Sequence, residues 1–139
     1  MRHKPFHFTG EERSRLTQDL TRLLKNYEEI VFSYLFGSFV EGLPFHDIDV
    51  GIYLSKIEEE GSTLYSLDLA HLLSNKLRIP VDVRVLNFAP VPFLYHVIRG
   101  NLILDRNVDV RMPLVEKIIA KYLDMKPLVH TGIKETFGR

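Results

Sequence analysis

Residues 36–54 read FGSFVEGLPFHDIDVGIYL. An apolar run closes at Phe36, the chain turns at Gly37 and Ser38, and a second run opens through Asp47, Ile48, Asp49 and Val50. Gly42 and Pro44 interrupt the eight residues between Ser38 and Asp47, which predicts a loop there. Upstream, IVFSYLFGS is short and rich in β-branched and aromatic residues, so it predicts a buried strand ending at Gly37. Downstream, HDIDVGIYL predicts a second strand. In a strand, residues i and i+2 share a face, which sets Asp47 and Asp49 together with Cα atoms about 6.5–7 Å apart. Ile48 and Val50 then face the core. Two carboxylates so placed either stand in water or hold a cation between them. Mg²⁺ suits the second case, because it takes hard oxygen ligands and often uses only one or two protein carboxylates. Alone, a D-x-D pattern favours the solvated reading, since acids are mostly exposed.

Asp82 changes that balance. IPVDVRVLN alternates strictly, with Val81, Val83 and Val85 on one side and Asp82 and Arg84 on the other. If this strand lies beside HDIDVGIYL, three carboxylates converge, an arrangement suited to metal-assisted phosphoryl or nucleotidyl transfer. Arg84 either neutralises Asp82 or contacts phosphate; the pattern leaves both open. Gly37 ends a buried strand, where a glycine permits a sharp turn and close approach of a ligand. The N–H groups after it and the Ser38 hydroxyl are suitable donors to phosphate oxygens.

The remaining elements frame this core. Thr9 and Glu12 form a capping-box pattern ahead of Leu16, Leu20, Leu23 and Leu24, predicting a helix over 10–26. A second helix is expected over 63–77, capped by Ser62, with Leu64, Leu67, Leu69, Leu72 and Leu73 on one broad face. KIEEEGS before it reads as a solvated turn. A third helix follows Pro90 and is expected to stop at Gly100. NLILD reads as a fourth strand, and a last helix is expected after Pro113, followed by a C-terminal tail without clear period. The order is α-β-β-α-β-α-β-α in one domain spanning 1–139, with the motif core over 34–106 and the C-terminal helix and tail over 109–139.

Composition narrows the classes. The chain has 139 residues, 45% hydrophobic, with 18 basic residues balancing 18 acidic ones. That neutrality gives no strong nucleic-acid signal, since dedicated nucleic-acid binders carry a basic excess. No cysteine is present, which removes disulfides and cysteine zinc sites. No apolar run approaches the ~20 residues of a membrane-spanning helix. The N-terminal MRHKPFHFTG lacks the apolar core of a signal peptide, so a cytoplasmic location is expected. His71 and His96 read as packing or surface residues. His46 adjoins the candidate site and reads as a loop residue able to touch a phosphate or gate the loop.

The ordered set LFGSFVEG…HDIDVGIYL, then VDVRVLNFAP…LYHVIRGNLILDR, resembles the minimal nucleotidyltransferases (MNT) of the polymerase-β superfamily. These are the antitoxins of HEPN/MNT toxin–antitoxin modules. The resemblance runs from Tyr34 to Arg106. It implies an α/β (α+β) fold with a mixed sheet of four strands and helices packed mainly on one face. It implies that Gly37 and Ser38 hold a nucleoside triphosphate, that Asp47 and Asp49 bind metal, and that Asp82 completes the metal site and helps deprotonate the attacking hydroxyl. The cofactor is then Mg²⁺, two ions with substrate bound, and ATP is the substrate. The partner is a HEPN-domain protein in a hetero-oligomer, whose tyrosine hydroxyl receives AMP. The chain departs from the family pattern in three places. The loop between Ser38 and Asp47 is shorter, His46 stands where serine is usual, and Phe39-Val40-Glu41 replaces a segment that often carries a basic residue. Two other readings stay open: an antitoxin that neutralises by binding, and a transferase acting on a small molecule.

Overall fold

The computed structural model describes residues 3–137, with side chains described to 125. Its elements follow the expected order: α1 (Gly10–Leu24), β1 (Ile30–Phe36), β2 (Ile48–Leu54), α2 (Glu59–Leu77), β3 (Val81–Val85), α3 (Val91–Ile98), β4 (Asn101–Asp105) and α4 (Val108–Phe137). The four strands form one mixed sheet in the order β3-β2-β1-β4. β1 runs antiparallel to β2 and to β4. β2 and β3 are parallel, joined by the α2 crossover that a parallel pair requires.

The two faces are both covered. Leu16, Leu20 and Leu24 of α1 and Leu69 and Leu73 of α2 pack on Leu35, Ile48, Val50, Ile52, Val81 and Val83. On the opposite face, Leu94 and Val97 of α3 and Ile118 of α4 pack on Phe32, Tyr34 and Phe36. The fold class stands as expected, but the helices are divided between the two faces rather than gathered mainly on one. The reason lies in β1, whose residues are apolar on both sides, so neither face can be left in water.

Element boundaries moved for local reasons. The Thr9–Glu12 capping box forms with both its hydrogen bonds, 2.8 and 3.1 Å, and fixes the start of α1. α2 begins four residues before the expected position, because Glu59 and Glu60 stabilise its first turn through the helix dipole. Ser62 is therefore inside the helix, bonded to the Glu59 carbonyl at 2.7 Å, and does not cap it. Nor is the broad leucine face buried: Leu64 and Leu67 are 64% and 63% exposed, and only Leu69 and Leu73 reach the core. α4 starts at Val108, since Asn107 caps it through its side chain to the Val110 N–H at 3.2 Å. The helical backbone continues to Phe137, over residues expected to form a tail.

Gly100 does follow α3, but not as a left-handed cap, since its own φ is not positive. Its use is steric: a Cβ there would lie 2.0 Å from the Leu35 carbonyl oxygen. Asn87, in the turn after β3, bonds both the N–H and the carbonyl of Leu54 at 2.9 and 2.8 Å, standing in for a strand neighbour at the end of β2. Arg106 donates to the carbonyls of Lys25, Tyr27 and Ile30 and ties the end of α1 to the start of β1. No helix among the described residues is long and apolar enough to cross a membrane.

Candidate active site

Three adjacent strands meet at one point. Phe36, the last residue of β1, pairs with Asp49 of β2, and Asp49 pairs with Asp82 of β3. Asp49 and Asp82 thus stand side by side on the α3 face, while Ile48, Val50, Val81 and Val83 fill the opposite core. Asp47 lies one residue before β2, two positions from Asp49. Gly37 and Ser38 open the turn that leaves β1 beside them.

Gly37 is bound to this spot twice. Its φ is +84°, a backbone state that side chains rarely adopt, and a Cβ there would lie 2.2 Å from Asp49 Oδ2. Backbone and carboxylate therefore touch, and only glycine leaves room. The turn after it is compact: the N–H groups of Val40 and Glu41 both donate to the Gly37 carbonyl, at 3.1 and 3.2 Å, and Leu43 N–H to that of Ser38 at 3.1 Å.

Electrostatics mark the same point. Burial pushes the Asp49 carboxyl up to about 6, and the nearby carboxylates of Asp47 and Asp82 push in the same direction, with Arg84 pulling against them. Arg84 Nε donates to Asp82 Oδ2 at 3.3 Å, with both side chains largely exposed. Of the two roles open to Arg84, this geometry shows the neutralising one. Among the described residues, no three His, Cys, Asp or Glu side chains are gathered into a ready-made metal cage. The carboxylate set nonetheless fits Mg²⁺. Uncompensated repulsion at Asp49 is relieved by a cation, and one or two protein carboxylates suffice when phosphate oxygens and water complete the shell.

The loop over 39–46 is braced by residues that sequence reasoning missed. Arg13 of α1 donates to the carbonyls of Phe8, Phe39 and Leu43 at 3.2, 2.6 and 2.9 Å. Its guanidinium also lies 5.3 Å from the centroids of Phe39 and Phe45. Phe6 exchanges two backbone hydrogen bonds with Phe45, 2.7 and 3.2 Å, so the N-terminal segment holds the far end of the loop. The alternating aromatics in PFHFTG were the available clue. His46 sits between this strap and Asp47; its Nδ1 is buried without a partner, and its ring lies 5.4 Å from that of His3.

A mixed sheet with a glycine turn beside neighbouring carboxylates is the arrangement that the motif resemblance implies for a nucleotidyltransferase. The profile of the polymerase beta nucleotidyltransferase family matches residues 18–109, and the chain belongs to that family. Solved structures share the fold. One is an MNT antitoxin in complex with a tri-AMPylated HEPN toxin from Shewanella oneidensis, 19% identical, with TM-score 0.68 over 90% of this chain and 98% of that one. Another is a toxin–antitoxin with AMP-PNP, 19% identical, with TM-score 0.70 over 87% and 98%. A third, a mutant MntA toxin–antitoxin, is 18% identical with TM-score 0.71 over 87% and 98%. A search of curated proteins finds none that matches.

Proposed function

We propose that this protein transfers AMP from ATP to a hydroxyl of a HEPN-type partner and thereby acts as its antitoxin. The observation that carries this reading is the Phe36–Asp49–Asp82 register, which sets the Gly37–Ser38 turn and the carboxylates around one point in a nucleotidyltransferase-family chain. The structurally similar antitoxins in complex with an AMPylated HEPN toxin and with AMP-PNP support the partner and the nucleotide. A tyrosine is the acceptor that the motif resemblance implies. The partner would form a hetero-oligomer with this chain, and the cytoplasm, where ATP and Mg²⁺ are abundant, is the compartment that suits the reaction.

Asp47 and Asp49, with Asp82 beside them, would hold Mg²⁺, which when bound neutralises charge building on the phosphate oxygens. The Gly37 backbone packs against Asp49, and it and the Ser38 that follows would position the triphosphate beside that carboxylate. Asp82, placed on the far side of Asp49 from Gly37, is located to accept the proton of the incoming hydroxyl. The acceptor oxygen forms a bond to the α-phosphorus. The bond from that phosphorus to the bridging oxygen breaks, and pyrophosphate leaves with the electron pair.

The test is incubation with labelled ATP, Mg²⁺ and the HEPN-type partner. Label should pass to the partner with the wild-type chain and be lost with Asp47→Asn plus Asp49→Asn. Transfer undiminished in the double variant would sink the proposal. The Asp82–Arg84 ion pair and the absence of lysine and arginine from residues 37–47 favour a second reading, neutralisation by binding alone. In that case the double variant still silences the partner although no label moves.

A further inference from the structure

A nucleoside triphosphate brings several negative charges, and residues 37–47 offer it no lysine or arginine. The fold offers one from elsewhere. A cavity of about 280 Å³ adjoins the turn, lined on one side by Phe36, Gly37, Val40 and Glu41 and on the other by His96 and Arg99 of the α3 end. Arg99 is the C-terminal cap of α3, its guanidinium resting 5.7 Å from the centroid of the Tyr95 ring. Among the described residues it forms no ion pair, although Glu41 lines the same cavity. Its backbone position is fixed by its neighbour, because Gly100 packs directly on the Leu35 carbonyl at the end of β1. His96 packs its ring edge-on against Phe36, 5.7 Å between centroids.

The side of the site on which this cavity opens matters. Along the register Phe36–Asp49–Asp82, the Gly37 turn and Asp82 flank Asp49 from opposite directions. In phosphoryl-type transfer the attacking and leaving oxygens lie roughly in line on opposite sides of phosphorus. An acceptor served by Asp82 requires a leaving group on the Gly37 side, where Arg99 and His96 stand.

We propose that Arg99, with His96 beside it, binds the β- and γ-phosphates of the triphosphate, supplies the cation that the Gly37 turn lacks, and draws pyrophosphate away from the incoming acceptor. This rests on the nucleotidyltransferase reading and adds a binding residue from α3 to it. A guanidinium suits the task, since its planar donors pair with phosphate oxygens in bidentate fashion.

The experiment titrates AMP-PNP and AMP, each with Mg²⁺, into the full-length wild type, Arg99→Ala and Arg99→Lys, with melting temperatures to show that the variants fold. Arg99→Ala should weaken AMP-PNP about tenfold or more, leave AMP within about twofold, and be partly restored by lysine. In labelled-ATP assays the KM for ATP should rise while the KM for the protein acceptor holds. Equal AMP-PNP affinity in Arg99→Ala overturns the inference alone. So does an equal loss for AMP, or a change confined to the acceptor. A wild type that binds no AMP-PNP overturns the nucleotidyltransferase reading and the inference with it.

Discussion

Gly37 is the residue on which the site closes most tightly. A methyl group there meets the Asp49 carboxylate and a backbone angle that disfavours any side chain. Gly37→Ala is expected to lose about 1–3 kcal/mol of stability in urea denaturation, and to lose label transfer with it, because Asp49 must move. Asp49 itself predicts an unusual pH dependence. Its carboxyl sits near 6 in the folded chain against 3.8 unfolded, so the native state holds its proton longer. Stability from this group is whole below about pH 4 and falls as pH rises through 6. Asp49→Asn should therefore be more stable than the wild type above pH 6 in chelator-treated buffer, by an amount on the order of 1 kcal/mol after allowing for partial exposure. The gap should close near pH 4 and shrink at pH 8 on adding Mg²⁺; a constant gap would contradict this. That Asp49 and Asp82 share one face was legible in the sequence because strand alternation is a local rule, whereas Asp47, expected inside the strand, lies just before β2. Arg13 and Arg99 were not legible, since their meaning depends on contacts with segments far along the chain.

At the scale of elements, polar side chains do the joining. Arg106 spans three carbonyls between α1 and β1, and no neutral residue reproduces that fork. Arg106→Ala is expected to cost about 1–3 kcal/mol. Its urea midpoint should drop with unchanged slope, and Arg106→Lys should recover only part. A variant as stable as the wild type would show that these bonds merely replace equal ones to water. Asn87 shows how a motif can be read correctly in place and differently in cause. It lies in the VDVRVLNFAP stretch that carries part of the family resemblance, yet what the side chain does is finish the β2 ladder. Strand positions and the α1 capping box were legible from patterns of a few residues. The starts of α2 and α4 were not, because a run of acids suits a solvated turn as well as a helix N-terminus, and Pro113 is itself a residue favoured in a first helical turn, downstream of the Asn107 cap.

For the molecule as a whole, strand alternation revealed that Asp82 opposes Val81 and Val83, but not how many layers the sheet supports. That depends on β1, whose apolar residues on both sides call for cover above and below. The candidate carboxylates and α3 share one of those layers, and the packing of α1 and α2 against the other contributes none of the candidate metal ligands. A core built only of shape and apolarity tolerates many substitutions that conserve volume. The reverse side of the sheet is therefore a place where volume-conserving substitutions leave the candidate ligands where they stand, except at Arg13, Phe39 and Phe45, which reach round to brace the loop over 39–46.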